Sequence, residues 1–402
     1  MTAEKEYLIY LLSCFLNGKV PEGREVNWEE IYRLADINDI CGIVQNEIML
    51  LPEEYRPSGE TKSKFKQQIG FAVRTYEIKC SAIEHINKML NDLKIDHMFV
   101  KGALIKELYP VKELRTSGDI DIIIGSDDFY GIYHRVKDKN IVNLYNIYDV
   151  RYNHFNIFLK YNDVFFELHR DADLLNSYFD DIFLKAESDG KNEYHLSDYN
   201  HLLFVLLHLI KHLKLRGAGI RMLMDIDVII RSIDGFNETV FTDLCKSAGV
   251  ENTAKVILSF CNYCFNTPVS DSVDIKNNTQ LTEKLAGVFL EGGSFGFETE
   301  SLGLFHYNYN ISENEKLTKA KKIKALLRYL FPPVAYVREY NEYSMKYPVL
   351  IPFAYVTRIF KGIFKRRNRS INTINEIMNI TSEDLAQKKI LEELDFDRKE
   401  KE

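Results

Sequence analysis

The sequence predicts an α+β chain in which a small mixed sheet is flanked by N-terminal and C-terminal helical regions. Three features lead there. Apolar residues recur with helical spacing through the first ~95 residues. The texture then changes to short β-branched and aromatic runs between Ile95 and His169. After Asp171 helical spacing returns.

In order, the N-terminal region reads as helices interrupted at Pro21 to Gly23 and Pro52 to Pro57, with a long periodic stretch from Thr61 to Leu93. Strands are expected at His97 to Val100, Ile120 to Ile124, Asn143 to Tyr148, Phe155 to Tyr161 and Val164 to His169. Between the first two lies a short helical piece, Ala103 to Tyr109, stopped by Pro110, and a second helix covers Asp127 to Val136. Asn162-Asp163 should form a two-residue hairpin turn, because both residues tolerate positive φ. Further helices are expected at Asp198 to His212, at Ile220 to about Ile233 after a Gly217/Gly219 break, and at Phe241 to Phe265, Leu281 to Leu290 and Lys316 to Phe331. Pro332-Pro333 ends the last of these, and the final ~30 residues alternate charge like an exposed helix. The expected domains are 1–94 (helical), 95–172 (the α/β core), 173–310 (helical) and 311–402 (basic, aromatic and helical).

With 46% hydrophobic and 28% charged residues, the chain of 402 residues is globular rather than disordered or collagenous. The first residues lack a basic start and a small-residue cleavage site, so no signal peptide is expected. No apolar run is long enough for a transmembrane helix. The six cysteines have no framework spacing, and Cys261 and Cys264 read as buried helix thiols rather than a zinc pair. A cytoplasmic protein is expected, with peripheral membrane association as an option. Net charge is −7, but Lys316 to Arg369 holds 14 basic and two acidic residues, leaving −19 on the remainder.

The chemistry-bearing stretch is Lys101-Gly102, then Arg115-Thr116-Ser117-Gly118-Asp119-Ile120-Asp121, then Phe166-Glu167-Leu168-His169. In a strand, residues two apart share a face, so Asp119 and Asp121 are expected to project together while Ile120 and Ile122 enter the core. Paired carboxylates repel unless a cation neutralises them, and hard oxygen ligands select Mg²⁺ or Mn²⁺. Glu167 offers a third carboxylate on another strand.

These residues resemble the DNA polymerase β-like nucleotidyltransferase superfamily, whose pattern is a glycine-containing turn, Asp-apolar-Asp, and a later acid between apolar residues. More narrowly, Leu108-Tyr109-Pro110, Arg115, Gly118-Asp119-Ile120-Asp121 and Glu167-Leu168-His169 resemble a group of uncharacterised bacterial nucleotidyltransferases. Downstream His208, His212, Gly217, Gly219, Ile220, Arg221 and Asp225, and the late Leu330-Phe331-Pro332, extend the likeness. It spans roughly Ile95 to Asp227 and the remainder loosely.

The resemblance implies a transfer of NMP from an NTP to an acceptor with release of pyrophosphate. It implies that Asp119, Asp121 and Glu167 hold two Mg²⁺ ions, with Mn²⁺ as the alternative, and that Gly102 lets backbone approach the nucleotide. Ala103 stands where the superfamily places a second small turn residue, so Lys101 or the backbone amides at Ala103 would take the triphosphate. Arg115, Ser117 and Gly118 join the nucleotide-binding candidates. His169, His208, His212, Arg221 and Asp225 are acceptor-side candidates. The plainer readings are hydrogen-bonded helix histidines for His208 and His212, and an intrahelical ion pair for Arg221 and Asp225. Should the hairpin form, Asn156 and Lys160 flank Glu167 on its face.

The acceptor is left open among a small molecule, a protein side chain and an RNA end, including transfer RNA in a toxin–antitoxin setting as in related superfamily members. A non-catalytic nucleotide- or partner-binding module is the alternative. The basic segment 316–369 interleaves charge with aromatic residues, which suits a helical cap on the acidic remainder, an anionic membrane surface or single-stranded RNA.

Overall fold

The computed structural model describes residues 1–126, 128–153, 155–172, 174, 176–215 and 217–293, and further on 319–332, 334, 337, 347–364, 371, 374–375 and 377–379. Residues 1–212 and 217–293 fall in one compact unit; those from 319 onward belong to a second.

Four helices open the chain: α1 (Ala3–Asn17), α2 (Trp28–Ile37), α3 (Cys41–Leu50) and α4 (Gly59–Asp92). Local chemistry sets their ends. Asn27 Oδ1 accepts from the amides of Glu29 and Glu30 at the start of α2, and Gly18 closes α1 in the left-handed region at φ 60°.

The sheet follows: β1 (Asp96–Phe99), β2 (Ile120–Gly125), β3 (Tyr148–Tyr152), β4 (Asn156–Tyr161) and β5 (Val164–His169), in the spatial order β1-β2-β5-β4-β3. Only β2 and β5 run parallel; the other pairings are antiparallel. The β4–β5 hairpin turns at Asn162-Asp163, whose φ values of 47° and 62° are those expected from the sequence. Alternation splits the sheet into two faces. Ile120, Ile122, Ile124, Phe166 and Leu168 enter a core with Ile86, Met89 and Leu90 of α4 and with Phe129, Ile132 and Val136 of α6 (Phe129–Lys137). Asp121, Glu167 and His169 lie on the other face.

Three expectations need correction. Asn143 to Tyr148 is not a strand: Asp138 caps α7 (Lys139–Leu144), Asn146 turns the chain at φ 49°, and β3 starts only at Tyr148. The apolar alternation of that run was outweighed by its cap and turn residues. Phe241 to Phe265 is two helices, α10 (Glu238–Ser247) and α11 (Glu251–Phe265), because Gly249 takes φ 70° and the amides of Ala248, Gly249 and Val250 return to the preceding turn. The stretch after Asp171 is not purely helical either. It contains a hairpin, β6 (Ala186–Ser188) with β7 (Tyr194–Leu196), turning through Asp189-Gly190 and bonded to β1 through the His97 amide and the Asn192 carbonyl.

The remaining helices are α8 (Asp198–Leu215), α9 (Ile220–Ser232) and α12 (Thr279–Glu291), near their expected positions. All six cysteines are free thiols, and Cys261 and Cys264 are buried as expected. The second unit contributes a helix at Lys319–Leu330 and another at Ile351–Phe364. The expected helix start at Lys316 lies outside the described residues, and of the final ~30 residues only 374–375 and 377–379, all helical, are described. Among the described residues, no helix is long and apolar enough to cross a membrane.

Candidate active site

The parallel β2–β5 ladder sets Asp121 opposite Glu167 and Ile123 opposite His169. Ligand atoms of Asp121, Glu167 and His169 all lie within 4.8 Å of one another. Asp119 stands apart from this triad. It is exposed, in the bend before β2, so it is not the strand partner of Asp121 that the sequence suggested. The ladder begins at Ile120, paired with Phe166, while on the other side the Val100 amide after β1 donates to the Asp121 carbonyl. The charge of Asp119 nonetheless reaches Glu167.

Asp121 is held by two donors on one oxygen: Lys101 Nζ at 2.8 Å and His169 Nε2 at 2.7 Å. Burial raises this carboxyl, but Lys101 and His169 outweigh it and hold the group far below the usual carboxylate range. His169 Nδ1 in turn lies 3.1 Å from Asn156 Oδ1, while Asn156 Nδ2 donates to Glu167 Oε1. The His169 ring thus bridges the Asp121 carboxylate and the Asn156 amide. Burial and the nearby Asp121 and Asp119 charges push the Glu167 carboxyl up, against the pull of His169. Of the two residues flanking Glu167 on its face, Asn156 is therefore built into the site; Lys160 instead lies over the Phe165 ring.

Lys101 adopts φ 57°, ψ −130°, a region that residues with a Cβ rarely occupy. Strain of this kind persists where surroundings over-determine it. Here the Lys101 carbonyl accepts from the Leu104 and Ile105 amides of the short helix α5 (Gly102–Ile105), while its ammonium reaches Asp121. At Gly102 an added Cβ would stand 2.3 Å from Arg115 Nη1. The space a side chain would need is filled by that guanidinium.

Arg115, 8% exposed, donates from Nε and Nη2 to the two oxygens of Asp225 at 3.2 and 2.7 Å, and the Tyr109 hydroxyl adds a third bond at 2.7 Å. Burial lowers the Arg115 pKa, but Asp225 more than restores it. The expected Arg221–Asp225 pair is thus absent. Arg221 donates instead to Asp39 Oδ2 at 3.1 Å, and the Thr116 carbonyl lies 3.3 Å from the same nitrogen. Asp225 lies beside the buried Arg115, a partner from a distant loop that spacing along the helix could not reveal.

Sequence reasoning missed Lys79 on α4. Its ammonium donates to the Ser117 and Gly118 carbonyls and lies 3.1 Å from Ser117 Oγ, just ahead of Asp119. Burial lowers its pKa to about 8, with Asp119 acting the other way. A single lysine on a long polar helix carries no signal of this kind.

From α8, His208 and His212 place their Nε2 atoms 3.1 Å apart, so one ring donates and the other accepts. Burial, then the charge of Lys101, drives His208 well below the ordinary histidine value, and Asp121 is also within its field. The Lys101–Asp121 charges thus reach His208.

No curated protein and no solved structure matches the chain. A family described as "Uncharacterised nucleotidyltransferase" matches residues 24–266, from before α2 to the end of α11. The match takes in helices on both sides of the sheet as well as the Asp121–Glu167–His169 face. The chain belongs to this uncharacterised nucleotidyltransferase family.

Proposed function

We propose that the chain moves an NMP from an NTP to an acceptor hydroxyl with release of pyrophosphate, using divalent cations held by Asp121, Glu167 and Asp119. The observation that carries this reading is the Asp121–Glu167 pair across a parallel ladder, with His169 completing a set of ligand atoms within 4.8 Å, in a chain of this family. The donor set fits a divalent metal: the two carboxylates are the hard oxygen ligands that Mg²⁺ or Mn²⁺ takes, and Asp119 adds a third acid close by. When bound, such ions neutralise the triphosphate and lower the pKa of the attacking hydroxyl.

The chain's own residues would do the rest. Lys101 holds Asp121 ionised and stands ready for a phosphate oxygen. Ser117 and Gly118 are fixed by Lys79, Ala103 lies in the first turn of α5, and Gly102 and Arg115 pack together, so the nucleotide-facing turn is ordered before substrate arrives. His208 and His212 would serve on the acceptor side, as a neutral hydrogen-bonding pair rather than a base, because burial holds His208 well below the ordinary histidine value. Arg221 and Asp225 support the loop, and Asp225 is a poor general base with three donors on its oxygens.

The test is release of pyrophosphate from labelled NTPs in the presence of cell extract and Mg²⁺. Wild type should label one class of acceptor, RNA, protein or small molecule, and Asp121→Asn should not; equal labelling by both would sink the reading. One observation favours a second reading. The Lys101 ammonium already neutralises Asp121, as it would in a module that binds nucleotide without turnover. Calorimetry showing tight Mg-NTP binding with no consumption in the same extract would favour that module.

A further inference from the structure

The second unit distributes its side chains in an unusual way. Its buried apolar residues, among those described, are small or few: Ala325, Val337, Ala354 and Ile377. Larger ones face solvent. On the helix Lys319–Leu330, Ile323 and Leu327 are about half exposed, and Phe331, next in the i, i+4, i+8 series, is 53% exposed. Ahead of and along the helix Ile351–Phe364, Val349 is 83% exposed, and Phe353, Val356 and Phe360 continue the stripe at spacings of four, three and four. Both outward faces are thus apolar at helical period.

The two helices are tied to each other. Tyr355 donates its hydroxyl to the Pro332 carbonyl, and Arg358 Nη2 donates to the Tyr329 carbonyl at 3.3 Å. The stripes therefore belong to one small unit. Their charge is one-sided: Lys319, Lys321, Lys322, Lys324, Arg328, Arg358 and Lys361, with no acidic residue in either helix. The sequence continues with Lys365, Arg366, Arg367 and Arg369.

We infer that this unit docks on an anionic phospholipid surface, with the two stripes entering the interface and the lysines and arginines meeting the headgroups. An amphipathic helix that is basic on its polar side binds in this way, through buried apolar area added to attraction for anionic lipid. Four of the seven stripe positions, Ile323, Leu327, Val349 and Val356, are aliphatic, which suits acyl chains better than stacking on bases and favours lipid over single-stranded RNA as the occupant. The inference does not depend on nucleotidyl transfer.

The full chain should float with phosphatidylcholine vesicles that contain phosphatidylserine and stay behind with phosphatidylcholine alone. Added salt should release it. The double variant Lys319→Glu/Lys324→Glu should weaken vesicle binding roughly tenfold or more, as expected for two basic groups near an anionic surface. Leu327→Ser/Val356→Ser, at solvent-facing positions, should weaken it comparably while leaving the circular dichroism spectrum and the labelling activity unchanged. Equal flotation with both vesicle types would overturn the inference, as would no flotation with either. So would a shift by single-stranded RNA that vesicles cannot compete, or a concentration-dependent dimer that the Leu327→Ser/Val356→Ser variant abolishes without affecting flotation.

Discussion

Removing the carboxylate of Asp225 by Asp225→Ala tests whether this acid anchors the loop from Tyr109 to Asp119 or acts in chemistry. Arg115 is 8% exposed and Tyr109 is 4% exposed, and Asp225 accepts both guanidinium bonds and the phenol bond. The substitution leaves a buried cation without its counter-charge, which costs about 3–5 kcal/mol. That is a large share of the stability of an ordinary domain, roughly 5–15 kcal/mol. Replacing the pair together, as Arg115→Met/Asp225→Leu, removes the stranded charge and should recover most of the loss, because well-packed apolar groups substitute for buried ion pairs at little cost. Equilibrium urea titration gives each free energy, and the cycle of two singles and the double isolates the coupling. A loss below about 1 kcal/mol for Asp225→Ala, or additive effects in the cycle, would refute the anchoring role. So would an Asp225→Asn variant that keeps its unfolding midpoint but loses turnover, since that is the behaviour of a general base.

Two further predictions concern other sites. Glu47 is 2% exposed, its Oε2 has no hydrogen-bond partner, and burial pushes its carboxyl up from 4.5 to about 7. Because the folded state binds the proton more tightly than the unfolded state, stability is full below 4.5 and falls as pH rises through about 7, by up to about 3 kcal/mol. Melts across that window should show a steeper fall in wild type than in Glu47→Gln, the difference being the Glu47 contribution; matching slopes would contradict the burial account. Gly102→Ala should cost about 1–3 kcal/mol and depress labelling activity, because the new methyl must displace Arg115 from its place beside Asp225. An unfolding midpoint equal to wild type would show that the turn yields without strain.

Much of the sheet was legible in the sequence because local chemistry decides it. Asn162-Asp163 set the β4–β5 turn, and alternation put Ile120 and Ile122 on the core face with Asp121 opposite. The same logic placed Phe158 across from Glu167 and brought Asn156 beside it. Legibility failed where a partner comes from far along the chain. Arg221 and Asp225 have the spacing of a helical ion pair, yet each is claimed by a residue more than 100 positions away, Asp39 and Arg115. Asp119 was read as a strand residue because nothing local marks where β1 stops supporting β2. The β6–β7 hairpin did carry a local mark, Asp189-Gly190, but its strands are only three residues each and offer little pattern.

The family match reaches from residue 24 to 266, well beyond the sheet, and the same span is tied together by long-range contacts. The loop from Tyr109 to Asp119 contains no long element of its own, only a three-residue turn of 3₁₀ helix at Lys112–Leu114. It is fixed from three directions. Asp39, between α2 and α3, accepts from Arg221 and takes the Thr116 hydroxyl on its carbonyl; Lys79 of α4 holds the Ser117 and Gly118 carbonyls; Asp225 of α9 holds Tyr109 and Arg115. A site that works by positioning charge needs its donors in place before substrate binds. In this chain that order comes from the helices on either side of the sheet, so substitutions at Asp39, Lys79 or Asp225 should disturb the Asp119–Asp121 segment although none of the three lies on a strand. Helices α4 and α9, the turn between α2 and α3, and the sheet thus meet at this one loop.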